Sequence, residues 1–136
     1  MRIVFGADDD NACVRAVLDV LAEHELTRIE TATWPDFSRR AGQAVAAGEA
    51  DFGVLMCWTG TGTAIAANKV PGVRAATVHD AWTARGARMW NDANVVALSL
   101  KRLAPDVAVE CVRAFLAEPA PDPDERANIA AIEPAV

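Results

Sequence analysis

The segment Cys57-Trp58-Thr59-Gly60-Thr61-Gly62 concentrates more reactive chemistry than any other in this chain. It pairs a thiol with two hydroxyls and two glycines. If the turn opens a helix, the thiol lies beside unsatisfied N–H groups, a setting that brings a cysteine pKa from ~8.5 into the range ~3.5–7.5 and makes a thiolate base available near neutral pH. The glycines let the backbone approach a ligand with N–H groups turned toward it, which suits an anion or oxyanion. The plainer reading of an isolated cysteine there is a small buried apolar residue. That reading serves for Cys13 and Cys111, which fall at inward positions of helical patterns. Asp8-Asp9-Asp10 follows the first strand-like run, and at least one of the three is expected to cap the next helix. A divalent cation would need further ligands that the sequence does not supply, so no metal is expected. His79-Asp80 is either a cap with a hydrogen-bonded imidazole or part of a site. In Trp90-Asn91-Asp92-Ala93-Asn94, turn chemistry alone accounts for the Asn and Asp residues.

Strand ends must position these groups. Arg2 to Gly6 reads as a buried strand, and Val14, Val17, Leu18 and Leu21 then repeat with helical spacing. Residues 27–32 form a second β-prone run. Pro35 opens a helix whose inner face carries Ala41, Val45 and Ala46 up to Gly48. Asp51 to Cys57 is nearly all apolar, as a parallel strand covered on both faces must be. Thr63 to Lys69 is helix-like, Val73 to Val78 a fourth strand, Asp80 to Trp90 a helix, and Ala93 to Leu98 a fifth strand. Pro105 to Leu116 follows as a helix with Ala108, Cys111, Val112 and Phe115 inward. The alternation predicts one α/β domain, a three-layer α-β-α sandwich on a Rossmann-like, mostly parallel five-stranded sheet. Pro119, Pro121 and Pro123 make an extended connector before a last short helix at about residues 125–132. That helix has little of its own to pack against, so residues 119–136 are expected to dock on a partner subunit. In such a sheet, ligands bind outside the carboxyl ends of the strands.

Composition narrows the function classes. The apolar fraction of 52% is spread in runs shorter than the ~18 residues needed to cross a bilayer. Met1 to Gly6 passes directly into a strand, which reads against a secretory signal. Three cysteines without ligand spacing argue against a disulfide framework or structural zinc, and a reducing cytoplasm is expected. The formal charge of −6 is unsuited to a nucleic-acid surface. A small-molecule partner is expected, with no cofactor.

Taken together, Gly48-Glu49-Ala50-Asp51-Phe52-Gly53, Cys57, Thr59-Gly60-Thr61-Gly62, the run from Ala66 to Ala76, His79-Asp80 and Asn91-Asp92-Ala93-Asn94-Val95 resemble the ribose-5-phosphate isomerase B and galactose-6-phosphate isomerase family of aldose–ketose isomerases. The resemblance covers almost the whole chain. It implies that Cys57 takes a proton from one carbon of an open-chain sugar and returns it to the neighbouring carbon. Thr59 would assist at the oxygens, and the backbone of Gly60, Thr61 and Gly62 would stabilise the enediolate. Asp8 and Asn91 match positions that hydrogen-bond substrate hydroxyls. The family site is built across two subunits, so the resemblance implies a homodimer. A family subgroup uses a glutamate four residues after the cysteine position, and this chain has Thr61 there.

Departures from the family pattern cluster where phosphate and ring chemistry are expected. Asp9 stands where a phosphate-contacting histidine is usual, and its charge would repel a phosphate dianion. Trp90 replaces the ring-opening histidine. Lys101 replaces a phosphate-binding arginine and lacks its bidentate fork. Trp58 replaces a glycine at the pocket mouth, and with Trp90 it could stack on a sugar face. The leading expectation is an aldose–ketose isomerase with an altered phosphate site. A second reading is a catalytically silent ligand-binding or partner subunit. A third is ordinary ribose-5-phosphate isomerase activity, with His79, Arg85 or Arg88 taking over the altered roles.

Overall fold

A computed structural model describes residues 1–31 and 33–134. Five strands alternate with helices: β1 (Arg2–Ala7), α1 (Ala12–Leu21), β2 (Glu25–Arg28), α2 (Trp34–Ala46), β3 (Phe52–Cys57), α3 (Thr61–Asn68), β4 (Ala75–Thr77), α4 (Ala81–Asn91), β5 (Val95–Ser99) and α5 (Pro105–Ala117). A 3₁₀ turn (Pro123–Glu125) and a one-turn α6 (Arg126–Ala130) follow. The strands pair in the order β2-β1-β3-β5-β4, and every pairing is parallel.

The layering follows from the apolar patterns. Inner faces of α1, α4 and α5 cover one side of the sheet through Val14, Val17, Leu21, Ala84, Val112 and Phe115. On the other side α2 and α3 contribute Phe37, Ala41, Val45 and Ala67. Central β3 is therefore enclosed on both faces, which explains its unbroken apolar run. Strand order reverses between β1 and β3. Their carboxyl ends splay into loops that lead to helices on opposite faces, and the crevice between those loops is the topological switch point.

Several expectations are corrected. The second strand comes earlier, at Glu25–Arg28, because its backbone pairs with β1 from Arg2↔Glu25 to Phe5↔Arg28; Ala32 of the expected strand lies outside the described residues. Ala46 is exposed at the end of α2, whereas Phe37, Ser38 and Gly42 join Ala41 and Val45 in the buried stripe. None of the three aspartates caps α1. Ladder pairing continues past Ala7, with the Asp8 N–H donating to the Met56 carbonyl at 3.0 Å, and this sets the helix start so that Asn11 is the cap, accepting from the Val14 N–H. The last helix is a 3₁₀ turn and a single α turn. The described part of the tail touches its own protomer, with the Asp122 N–H bonded to the Met89 carbonyl and Glu133 3.6 Å from Arg74.

Candidate active site

Cys57 is the last residue of β3, paired in register with Ser99 at the end of β5. Its side chain is 6% exposed, at the floor of the crevice rather than on its rim. The following loop is shaped by Gly60, the N-cap of α3, whose φ of +76° lies in the left-handed region. A Cβ on Gly60 would also stand 3.0 Å from the Leu98 carbonyl carbon and 3.2 Å from the Ser99 nitrogen. Glycine is thus required twice over, for the dihedral and for the approach to β5. Gly60 has no side chain with which to cap α3, and the Thr61 N–H turns instead to the Thr59 hydroxyl oxygen at 3.3 Å.

The loop wraps the sulfur. The Gly60 N–H donates to Cys57 Sγ at 3.2 Å, and the Thr63 Oγ1 lies 3.5 Å from Sγ. Burial pushes the thiol pKa up, but hydrogen bonds from the Thr63 hydroxyl and from the N–H groups of Thr63, Gly60 and Thr59 outweigh it, and the net shift is downward. The other cysteines move the opposite way. Burial raises Cys13, and burial with nearby acidic charge pushes Cys111 up to about 11. Of three buried thiols, only Cys57 is biased toward the thiolate.

The crevice gathers most of the expected site residues. Asp8 and Asp9 lie at the end of β1, and Asp9 lines a recess with Arg28, Glu30 and Thr31. Thr59 and Thr61 are exposed beside the crevice, their hydroxyls 2.7 Å apart. Gly62 is covered by the indole of Trp34, which a Cβ would meet at 3.1 Å. Trp58 is 60% exposed at the mouth, and Lys101 holds its ammonium 4.7 Å from the centre of the indole. The Ser99 hydroxyl fixes the Trp58 carbonyl and accepts from the Arg102 N–H, tying the loop after β3 to that after β5. His79 is exposed at the end of β4, and Asp80 caps α4 through the Thr83 N–H at 2.7 Å.

Trp90 and Asn91 are elsewhere. α4 starts at the carboxyl edge of the sheet and runs back to the amino edge, so its last residues stand near Arg74 and Asp92, at the opposite end from Cys57. Trp90 lies across Gly86 and packs edge to face on Trp82 at 5.4 Å, an aromatic pair exposed to solvent. Arg88 is withdrawn from any ligand. It is 4% exposed, stacked 4.2 Å from the Phe52 ring centre and bonded to the Phe115 carbonyl.

Three residues of the site escape a reading of the sequence. Thr63, Thr77 and Ser99 sit at inward positions where a hydroxyl resembles ordinary packing, and their spacing from Cys57 carries no motif. Only the polarity of Thr63 on an otherwise alanine-lined inner face of α3 is a signal. Among the described residues no group of three or more potential metal ligands comes together. No described helix is long and apolar enough to cross a membrane.

Comparison with known proteins agrees with this architecture. The family described as Ribose/Galactose Isomerase matches residues 3–132. The D-erythrulose-4-phosphate isomerase of Pectobacterium atrosepticum is 40% identical over 125 residues, covering 85% of this chain and 82% of that protein. Ribose-5-phosphate isomerase B of Escherichia coli is 33% identical over 123 residues, covering 85% of this chain and 83% of its own length. The solved structure of ribose-5-phosphate isomerase B from Clostridium thermocellum superposes with a TM-score of 0.90 at 34% identity, covering 97% of this chain and 95% of that one. A matched family spanning nearly the whole chain, on the same parallel sheet, makes this protein an isomerase that belongs to the ribose/galactose isomerase family.

Proposed function

We propose that the protein is an aldose–ketose isomerase that moves a proton between adjacent carbons of a small sugar or sugar-like substrate through an enediolate. The observation that carries this reading is the Cys57 sulfur, buried at the switch point and held by the Gly60 N–H and the Thr63 hydroxyl. A thiolate there abstracts the proton from the carbon next to the carbonyl, leaving the negative charge on the substrate oxygen. The resulting thiol returns the proton to the neighbouring carbon, so the step is redox-neutral within the substrate and needs no external electron acceptor. The fixed Gly62 N–H in the first turn of α3 stabilises the enediolate oxygen without reorganising, the Gly60 and Thr61 N–H groups being turned to Cys57 Sγ and Thr59 Oγ1. The Thr59 hydroxyl, close to Thr61, is placed to exchange a proton with the substrate oxygens.

The phosphate end of the site is altered. Relatives are named for phosphorylated sugars, ribose 5-phosphate and D-erythrulose 4-phosphate among them. Here Asp9 faces the recess beside β1, and Lys101 is partly engaged by Trp58. A phosphate in the recess would meet the Asp9 and Glu30 carboxylates beside an Arg28 guanidinium already 3.7 Å from Glu30, and Lys101 offers a mobile ammonium in place of a guanidinium fork. Trp58 offers instead an aromatic face for a sugar or a less polar substituent.

The working unit is a homodimer with a shared site. Asn91 and Trp90 cannot reach Cys57 within one protomer, because α4 carries them to the opposite edge of the sheet. A second copy can present them over the crevice, and its tail after Pro123 would support that contact. Subunit mixing tests this directly. Cys57→Ala and Asn91→Ala proteins are each inactive in aldose–ketose interconversion followed by NMR across free and phosphorylated sugars. Their mixed dimer regains one intact site of two. A mixture as inactive as its parents, with mixed dimers demonstrably formed, contradicts the shared site.

A further inference from the structure

Gly60 has one carbonyl and two hydroxyl suitors. Thr77 Oγ1 donates to it at 2.9 Å from the end of β4, while Thr63 Oγ1 stands 3.4 Å away. The Thr77 bond is the shorter, near the ordinary O–H···O range, and the Thr63 one is at the limit of a hydrogen bond. Thr63 is fully buried and has one other partner within reach, the Cys57 sulfur at 3.5 Å. A carbonyl oxygen can accept two bonds, but the second one here is long at 3.4 Å and shares its acceptor with Thr77, whereas a thiolate is a far better acceptor for the Thr63 proton.

We propose that Thr63 is a positioning residue of the proton-transfer site, donating its hydroxyl proton to the Cys57 thiolate in preference to the Gly60 carbonyl, which Thr77 already serves at shorter range. The inference rests on the reading of Cys57 as the base. It assigns the thiolate's stabilisation to neutral donors. The groups around the sulfur are the Thr63 hydroxyl on α3 and N–H groups of the loop after β3. The titratable or charged residues at the neighbouring strand ends are Asp8 and Asp9 after β1, His79 after β4, and Lys101 and Arg102 after β5. All of these are exposed, and it is the hydrogen bonds of Thr63, Gly60 and Thr59 that outweigh burial at the sulfur. The arrangement has a catalytic advantage: a thiolate held by hydroxyl and amide protons sits at the floor of the crevice without a fixed cation that would lock it in place.

Thr63→Val keeps the shape and removes the donor. Thr63→Ser keeps the donor. The readout is the pH midpoint of the Cys57 thiolate, taken from ultraviolet thiolate absorbance of each variant minus that of the same variant carrying Cys57→Ala. A hydrogen bond to a charged acceptor corresponds to a shift of about one to two pH units, so Thr63→Val raises the midpoint by that amount and Thr63→Ser restores it. The acid limb of the pH profile for exchange of the substrate's carbon-bound proton moves upward in parallel. An unchanged midpoint in folded Thr63→Val overturns the inference. Should Thr63→Val fail to fold, Thr77→Val carries the test: it frees the Gly60 carbonyl to draw Thr63 away, and the midpoint rises by a smaller amount. No rise there overturns the inference equally. The titration needs no substrate, so retained exchange in Cys57→Ala would defeat the base reading while leaving the Thr63 contact separately measured.

Discussion

Replacing Gly60 by alanine should damage both the fold and the chemistry, whereas the same change at Gly48 should damage neither severely. Both glycines hold positive φ, +76° and +74°. An alanine forced into the left-handed region costs roughly 1–2 kcal/mol. At Gly48 nothing lies within 4 Å of the added methyl, so the cost ends there. At Gly60 the methyl meets backbone atoms of Leu98 and Ser99 at 3.0–3.3 Å, which have no rotamer to escape into. Such crowding adds about 1–3 kcal/mol, for a total of roughly 2–5 kcal/mol. Urea unfolding followed by circular dichroism measures both, and an unchanged m-value confirms that stability alone has moved. The loop must also shift away from β5, carrying the Gly60 N–H off the Cys57 sulfur, so Gly60→Ala loses most isomerase activity and Gly48→Ala keeps it. Equal stability losses with equal activities would refute the assignment of Gly60 as the hinge of the site.

Cys13→Ala and Cys111→Ala retain activity and lose about 1–2 kcal/mol in thermal unfolding, because each leaves a small void in the packed core; loss of activity in either would contradict its role as packing. Ribose 5-phosphate turns over with a kcat/KM below the ordinary enzyme range of ~10⁴ M⁻¹s⁻¹, and Asp9→Asn raises it; efficiency above that value, or indifference to Asp9, would contradict an altered phosphate site. The Cys57 pKa is lowered on folding, so the stability it contributes is fully present above the unfolded value and is lost as pH falls through the folded value. Comparing wild type with Cys57→Ser by denaturant titration across that window shows the slope in wild type alone. Light scattering at micromolar concentration finds a dimer, and Trp90→Asp, which places a charge on the exposed aromatic pair, weakens it.

The sheet was legible because its signals were local. Phe52-Gly53-Val54-Leu55-Met56 could only be a covered parallel strand, and the spacing of Ala108, Cys111, Val112 and Phe115 describes a helix face that the structure buries. The loops of the candidate site were placed for the same reason, since Cys57 ends β3 and Asp8 follows β1. What was not legible depends on register and long-range contact. Four consecutive residues from Asp8 to Asn11 could each cap a helix, and the choice fell to Asn11 only because β1 pairs with β3 one residue further than its apolar run suggests. Arg88 was expected among the groups that could take over the altered roles of the site. Its burial is decided by Phe52 and Phe115, which approach from a strand and a helix far along the chain. The Thr63–Gly60–Thr77 contacts bring together two elements whose relative height no spacing rule reports. Asn91 likewise ends at the edge of the sheet opposite Cys57, a placement that its match to a substrate-contacting position did not reveal.

If the Cys57 thiolate moves the proton, solvent deuterium enters the substrate at the carbon to which that proton is returned. Wild type incorporates deuterium into an accepted aldose or ketose as it equilibrates the pair. Cys57→Ala abolishes both turnover and incorporation while binding the substrate and unfolding as wild type does. Cys57→Ser fails almost as badly, because a neutral hydroxyl is a poor base near neutral pH. Deuterium incorporation in Cys57→Ala at the wild-type rate would contradict the account.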